Sequence, residues 1–465
     1  MRSKSLGAFA AFIASAALLL VPGCGGGVGS GGTGMAIGTV NGFGSVIVDG
    51  VRYDDSAVAT LREDAPGVET QTQARLGQRA EIRYADGGVA TALMVDATLI
   101  GTVGGVSAPG AFTVLGQPVA VNSDPALGPV TLFAGTYVGA ASIGVGDAVE
   151  VHGLIVARAA GFVVQATRIE RLAALPAYLK VTGVVAGARS GVFTIGTLTV
   201  DSSTAVVLPA GASVVDGAVA SLLARATSLT VNGDGTSRVI AAQVRVRGLD
   251  ADATRVTVSG AVSALDSAGQ RFTLGGVRVS YAGATLSPSG AALANRYVVV
   301  TGRRQADGSL QADAVTVRDG TRESQAELNG NITAFVSASS FQVRGVAVDA
   351  SGALLENCPA SGLANGLYVE LAGSFAPIGV IATQVHCAGE PSGSTVERTG
   401  VAGNVDTAAG TFVLTPSLGA PLQVRWTATT LFDNVRAATL SGKRVQVQGQ
   451  FNGSVLVAQQ IEVDD

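Results

Sequence analysis

Chemistry that needs a thiol or an imidazole has five residues to draw on in this chain: Cys24, Cys358, Cys387, His152 and His386. A zinc centre takes three or four His, Cys or carboxylate ligands. His386 adjoins Cys387 and the next thiol is Cys358, so a centre there needs a carboxylate that the spacing does not supply. His152 closes the segment "VEVHG", and similar segments carry Asn232, Thr301, Ala372 or Gln448 at that position. A position exchanged so freely reads as a solvent-facing strand end, not a ligand. No G-x-S-x-G elbow or H-E-x-x-H pair occurs, and none of the three lysines completes S-x-x-K. "NGDGT" and "LDADAT" put carboxylates beside turn residues without the alternate ligands and late Glu of an EF-type loop, so both read as turns. No catalytic residue, cofactor or metal is indicated. The expectation is a protein that is not an enzyme.

Cys24 has a different context. Arg2 and Lys4 precede an apolar run from Leu6 to Val21, the pattern of a secretory signal peptide. The run ends Leu20-Val21-Pro22-Gly23-Cys24, which resembles the lipobox of bacterial lipoproteins, with Pro22 an unusual middle residue. That resemblance implies that Cys24 becomes the lipid-bearing first residue of the mature chain. Glycine-rich segments are flexible coils, so the glycines that follow suit a tether. The alternative is a plain signal peptide beside an incidental cysteine. Gly25, where an Asp would retain a lipoprotein at the inner membrane, points to the outer membrane of a Gram-negative cell.

Composition narrows the partners. Of 465 residues 63 are Gly, 47% are apolar and 14% charged, with 30 basic against 34 acidic residues and a net charge of −4. Aromatics make up 5%. A nucleic-acid binder needs a basic stripe or groove with stacking aromatics, and neither is present, so no nucleic-acid partner is expected. Trp426, the single tryptophan, reads as a packing residue at the end of a strand; stacking on a sugar is the alternative.

The elements that must position these residues come as repeats. A glycine-led strand recurs at Gly38, Gly101, Gly183, Gly260, Gly330 and Gly400. An aromatic-led strand follows at Phe112, Phe193, Phe272, Phe341 and Phe412, with "VIVDG" in the first copy. A turn glycine and a third strand come next. Each copy then closes with a "VEVHG"-like segment and a strand carrying Ala three residues before a branched residue, as in Ala166/Ile169. Period-two alternation marks strands with one buried face. The pattern predicts an all-β tandem array of six small five-stranded OB-like Greek-key barrels, with small β-sandwiches as the alternative. The phenylalanines are expected in equivalent cores, and each unit is expected to keep its own sheet. "VDGAVASLLARATS" from Val215 has helical spacing and reads as a helix between the third and fourth strands of its unit, with "LTVNG" as the fourth strand. The divisions are a leader at 1–23, a tether at 24–36, and β repeats at 37–99, 100–175, 176–252, 253–323, 324–394 and 395–465.

The unit "GTVNGFGSVIVDGVRYDDS … GQRAEIRY … ATALMVDA" resembles the bacterial family of domain of unknown function 5666, most strongly over residues 38–171. The resemblance implies an exported, envelope-associated protein and carries no catalytic residue across.

If Cys24 carries lipid, Cys358 and Cys387 remain as a pair in a compartment where disulfides persist. In an OB-type barrel the third and fifth strands run parallel, so their ends emerge at one rim. The expectation is a Cys358–Cys387 disulfide that staples one unit, with two buried free thiols as the alternative. For function, a lipid-tethered row of barrels acting as a non-catalytic scaffold is the first reading, because quasi-linear arrays make extended surfaces. A binding module for a small envelope ligand, a glycan fragment or a metal ion, at an interdomain crevice is the alternative. The membrane through the lipid anchor, and an envelope protein or glycan, are the expected partners.

Overall fold

A computed structural model describes residues 33–463, apart from 57, 159–160, 233–235, 321–324, 360–361, 388–395, 416–420, 428–429, 434 and 453. Cys24 and the leader lie outside the described residues, within which the regular elements are β-strands and single 3-10 turns. The chain is all-β and contains several closed five-stranded barrels.

The circuit is plainest in residues 99–171. Strand Leu99–Ala108 pairs antiparallel with Ala111–Val114, which pairs with Gln117–Val121. That third strand runs parallel to the fifth, Gly161–Arg171. The fifth pairs with the fourth, Ala148–Arg158, and the fourth returns to the first. Ring closure removes the exposed edges that invite aggregation. The same circuit runs from Arg255–Ala261 to Leu310–Val317 and from Gln325–Ser337 to Gly379–Cys387. In residues 34–95 an inserted hairpin, Thr60–Ala65 with Val68–Thr72, interrupts it, and one bridge, Asp54 to Val89, completes the ring.

Two recurring glycines have steric causes. Leu115 and Gly116 both hold positive φ, 49° and 76°, the two-residue turn whose twist suits a hairpin. Leu115 thereby lies over the first strand, where a Cβ on Gly101 would stand 2.6 Å from its side chain. At Gly153 the fourth strand bulges against the fifth, and a Cβ would stand 2.7 Å from the Gln165 carbonyl. Phe112, Phe193, Phe272, Phe341 and Phe412 are each 3% exposed or less, at the heads of equivalent strands.

Four expectations are corrected. Residues 215–228 form no α-helix: Val219–Arg225 is the fourth strand of its barrel, paired with Tyr178–Arg189 and Ser237–Val246. It is buried on both faces, and a doubly buried strand shows no alternation to separate it from a helix. "LTVNG" contributes only the short strand Thr230–Val231. The first strand begins at Gly34, inside the segment read as tether. Finally, sheets run through several units. The first strand, Gly34–Phe43, also pairs parallel with Arg255–Val258 and with Glu327–Leu328. Leu99–Ile100 pairs with Lys180–Val181 of the next barrel. Strands longer than a barrel wall leave backbone groups that must find partners, and neighbouring barrels supply them.

The row of barrels is accordingly replaced by packing out of sequence. Met35 sits in the core of residues 249–317, against Leu249, Val256 and Val258. Tyr297 is fully buried, packs near Leu154 and Val156, and donates to Asp49 Oδ1 at 2.7 Å. The last barrel, residues 396–463, keeps a sheet and a core of its own around Phe412, Val424 and Val447.

Candidate functional site

Strand alternation puts Val149 and Val151 in the core of the second barrel and turns Glu150 and His152 outward. The outward face is not solvent. The first barrel covers it, and His152 is 1% exposed. Its Nε2 meets Glu150 Oε1 at 2.9 Å, and its Nδ1 accepts from the Arg79 backbone N–H at 3.2 Å. Arg62, from the inserted hairpin, reaches Glu150 Oε2 at 3.2 Å. Burial alone would push the Glu150 carboxyl up; His152, Arg62 and Arg168 outweigh it and bring it to about 2. The reading of His152 as a solvent-facing strand end is therefore corrected. Copies exchange that position because this contact belongs to one pair of barrels.

Asp96, between the first two barrels, takes an ion pair from Lys180 and one from Arg247 at 2.7 Å. Burial opposes its charge, yet the two cations hold its carboxyl well below the usual range. The charge of Asp96 in turn raises Arg247 further. The same hairpin that carries Arg62 places Glu63 2.8 Å from Gln243 Nε2 and 3.4 Å from Arg245.

Beside this network lies a cavity of about 350 Å³ at the junction of the first four barrels. The strand Arg79–Tyr84 contributes Arg79, Glu81 and Arg83; the second barrel contributes Gly153, Leu154 and Ile155. Val219 and the segment Arg245–Ala251 close another side, and Ser259, Leu274 and Arg304 of the fourth barrel the last. Burial pushes the Glu81 carboxyl up against the pull of Arg247 and Arg83. Ligand pockets run from about 300 to 1,000 Å³, favour domain junctions, and join an apolar lining to a few convergent polar groups. The arrangement can hold a small molecule; it presents no nucleophile–base pair.

The residues singled out from sequence lie elsewhere. Cys358 and Cys387 form a disulfide with Cα atoms 4.8 Å apart. Third and fifth strands of that barrel run parallel, and the short strand Leu354–Glu356, also parallel to the fifth, carries Cys358 to the rim. His386 Nδ1 stands 3.7 Å from Glu356 Oε2, away from the cavity. Among the described residues no three His, Cys, Asp or Glu side chains gather as metal ligands. Trp426 packs against Phe412 and Phe432, each 6.0 Å between ring centroids. Asp96, Lys180, Arg247 and Glu81 went unnoticed in the sequence. The available signal was a charged residue at an outward position of an otherwise apolar strand, as in "YLKVTG".

A family model described as "Domain of unknown function (DUF5666)" matches residues 100–170, 259–316, 329–386 and 399–462, more than half of the chain. Of residues 38–171, over which the resemblance is strongest, 100–170 are matched and 38–99 are not; the unmatched segment carries the inserted hairpin. No curated protein matches the chain. Among solved structures, Ag(I)-bound CusF from Escherichia coli is 16% identical, covering 16% of this chain and 99% of its own at a TM-score of 0.14. A CSD456 structure of Drosophila Unr is 10% identical, covering 46% of this chain and 98% of its own at a TM-score of 0.14. At those scores neither bears on what this chain binds.

Proposed function

The chain belongs to the DUF5666 family, and from that premise we propose that it is a non-catalytic binding protein of the cell envelope. In this reading six small barrels form the mature chain, and a lipid on Cys24 holds it at the outer membrane of a Gram-negative cell. The observation that carries it is the cavity of about 350 Å³ walled by four different barrels. Barrel outer faces that would otherwise be wet bury Glu150, His152, Lys180 and Gln243 in the contacts beside it. A scaffold reading keeps one observation in its favour, the separate core of the last barrel. That barrel is free to serve as the protein-binding end.

Gly248 offers the test. It lines the cavity, and a Cβ there would meet nothing within 4 Å. Native mass spectrometry of protein purified from membranes is expected to find one small-molecule adduct per chain, absent from Gly248→Phe. Adducts equal in both proteins, or none in either, would count against the cavity as the functional site. For the anchor, Cys24→Ser is expected to leave a soluble protein or an unprocessed precursor, whereas wild-type protein recovered free in the periplasm would contradict it.

A further inference from the structure

We propose that the shared cavity takes a small organic monoanion, a carboxylate head on an apolar body; this rests on reading the cavity as a binding site. Five arginines line it, Arg79, Arg83, Arg245, Arg247 and Arg304, against three acids, Glu81, Asp96 and Asp250. Internal pairing consumes some of that charge. Arg83 meets Asp250 at 2.7 Å, and Arg247 shares Asp96 with Lys180. Arg79 and Arg304 are placed differently. Arg79 donates to Thr39 Oγ1 at 3.0 Å and the Ser259 carbonyl at 3.3 Å. Arg304 donates to the carbonyls of Leu249 at 3.3 Å and Gln305 at 3.2 Å. Among the described residues neither has a carboxylate in ion-pair reach, and each guanidinium spends two of its five N–H donors on those partners.

Carboxylates meet guanidinium groups through charge-assisted, often two-pronged hydrogen bonds. Burial drives Glu81 toward its neutral form, which enlarges the positive excess. Asp96 and Asp250, which also line the cavity, disfavour a doubly charged phosphate by repulsion. Leu154, Ile155, Val219, Leu249, Val258 and Leu274 supply the apolar surface for the rest of the ligand.

The test is calorimetric titration of the mature chain with octanoate and with octan-1-ol. Octanoate is expected to bind with one site per chain, roughly tenfold or more tighter than the alcohol, the scale of hydrogen bonds to a charged group. Arg304→Met is expected to weaken octanoate by about as much and leave the alcohol unchanged. Gly248→Phe is expected to abolish both. Circular dichroism melts confirm folding of both variants. If the alcohol binds as well as octanoate, or Arg304→Met leaves octanoate unaffected, the anion assignment is overturned and the cavity reading stands. If neither molecule binds, or Gly248→Phe leaves binding intact, both fall.

Discussion

Glu150 makes a buried carboxylate measurable. Unfolded, it titrates at 4.5; beside His152, Arg62 and Arg168 in the folded chain it titrates at about 2. At about 1.4 kcal/mol for each pH unit, the difference supplies about 3 kcal/mol of folding free energy. The sign follows from linkage: a carboxyl lowered in the folded state contributes fully above its unfolded value and loses that contribution as pH falls through the folded one. About two-thirds of it is gone by pH 3 on this scale. Glu150→Gln removes the titrating group and leaves His152 and Arg62 without their anion. Urea unfolding of both proteins, followed by far-UV circular dichroism at pH 7, 5, 4 and 3, reads the gap between them. That gap is expected to be largest above pH 5 and to shrink by about 2 kcal/mol at pH 3. A gap constant from pH 7 to 3 would mean that Glu150 ionises as easily folded as unfolded, and would refute the network.

Other perturbations test separate parts of the fold. Asp96→Asn strands the buried Lys180 ammonium and the Arg247 guanidinium, and is expected to cost about 3–5 kcal/mol; a thermal melt unchanged from wild type would contradict it. Gly153→Ala drives a Cβ onto the Gln165 carbonyl at the bulge, with an expected loss of about 1–3 kcal/mol, read in the same urea titration. The Cys358–Cys387 bridge closes a separation of 29 residues, for which the chain-entropy model gives about 3–4 kcal/mol. Reduction is expected to raise proteolysis within residues 325–387 selectively, and thiol titration of denatured, unreduced chain beginning at Gly25 is expected to find no free cysteine.

The fold was legible where cause and effect share one strand. Alternation placed the five phenylalanines inward, and the bulge glycine recurred in four barrels because Gly153, Gly302, Gly373 and Gly449 each face a carbonyl of the neighbouring strand. Parallel third and fifth strands followed from strand order, and with them the meeting of Cys358 and Cys387. The site was illegible because it lies on outward faces. Alternation shows that His152 and Lys180 point away from their own core; it does not show which barrel covers them. Val219–Arg225 was misread for a related reason, since covering its second face erased the period-two signal. Out-of-sequence contacts such as Met35 with Leu249 leave no periodic trace at all.

That last contact tests the account most directly. Barrels packed out of sequence around one cavity require the Met35 side chain, 1% exposed, to lie in the core of residues 249–317. With only three methionines in the chain, a methyl-labelled sample assigns Met35 readily. The account predicts nuclear Overhauser contacts from the Met35 methyl to those of Leu249, Val256 and Val258. Contacts confined to residues 34–95, or a Met35 methyl at its solvent-exposed chemical shift, would contradict it.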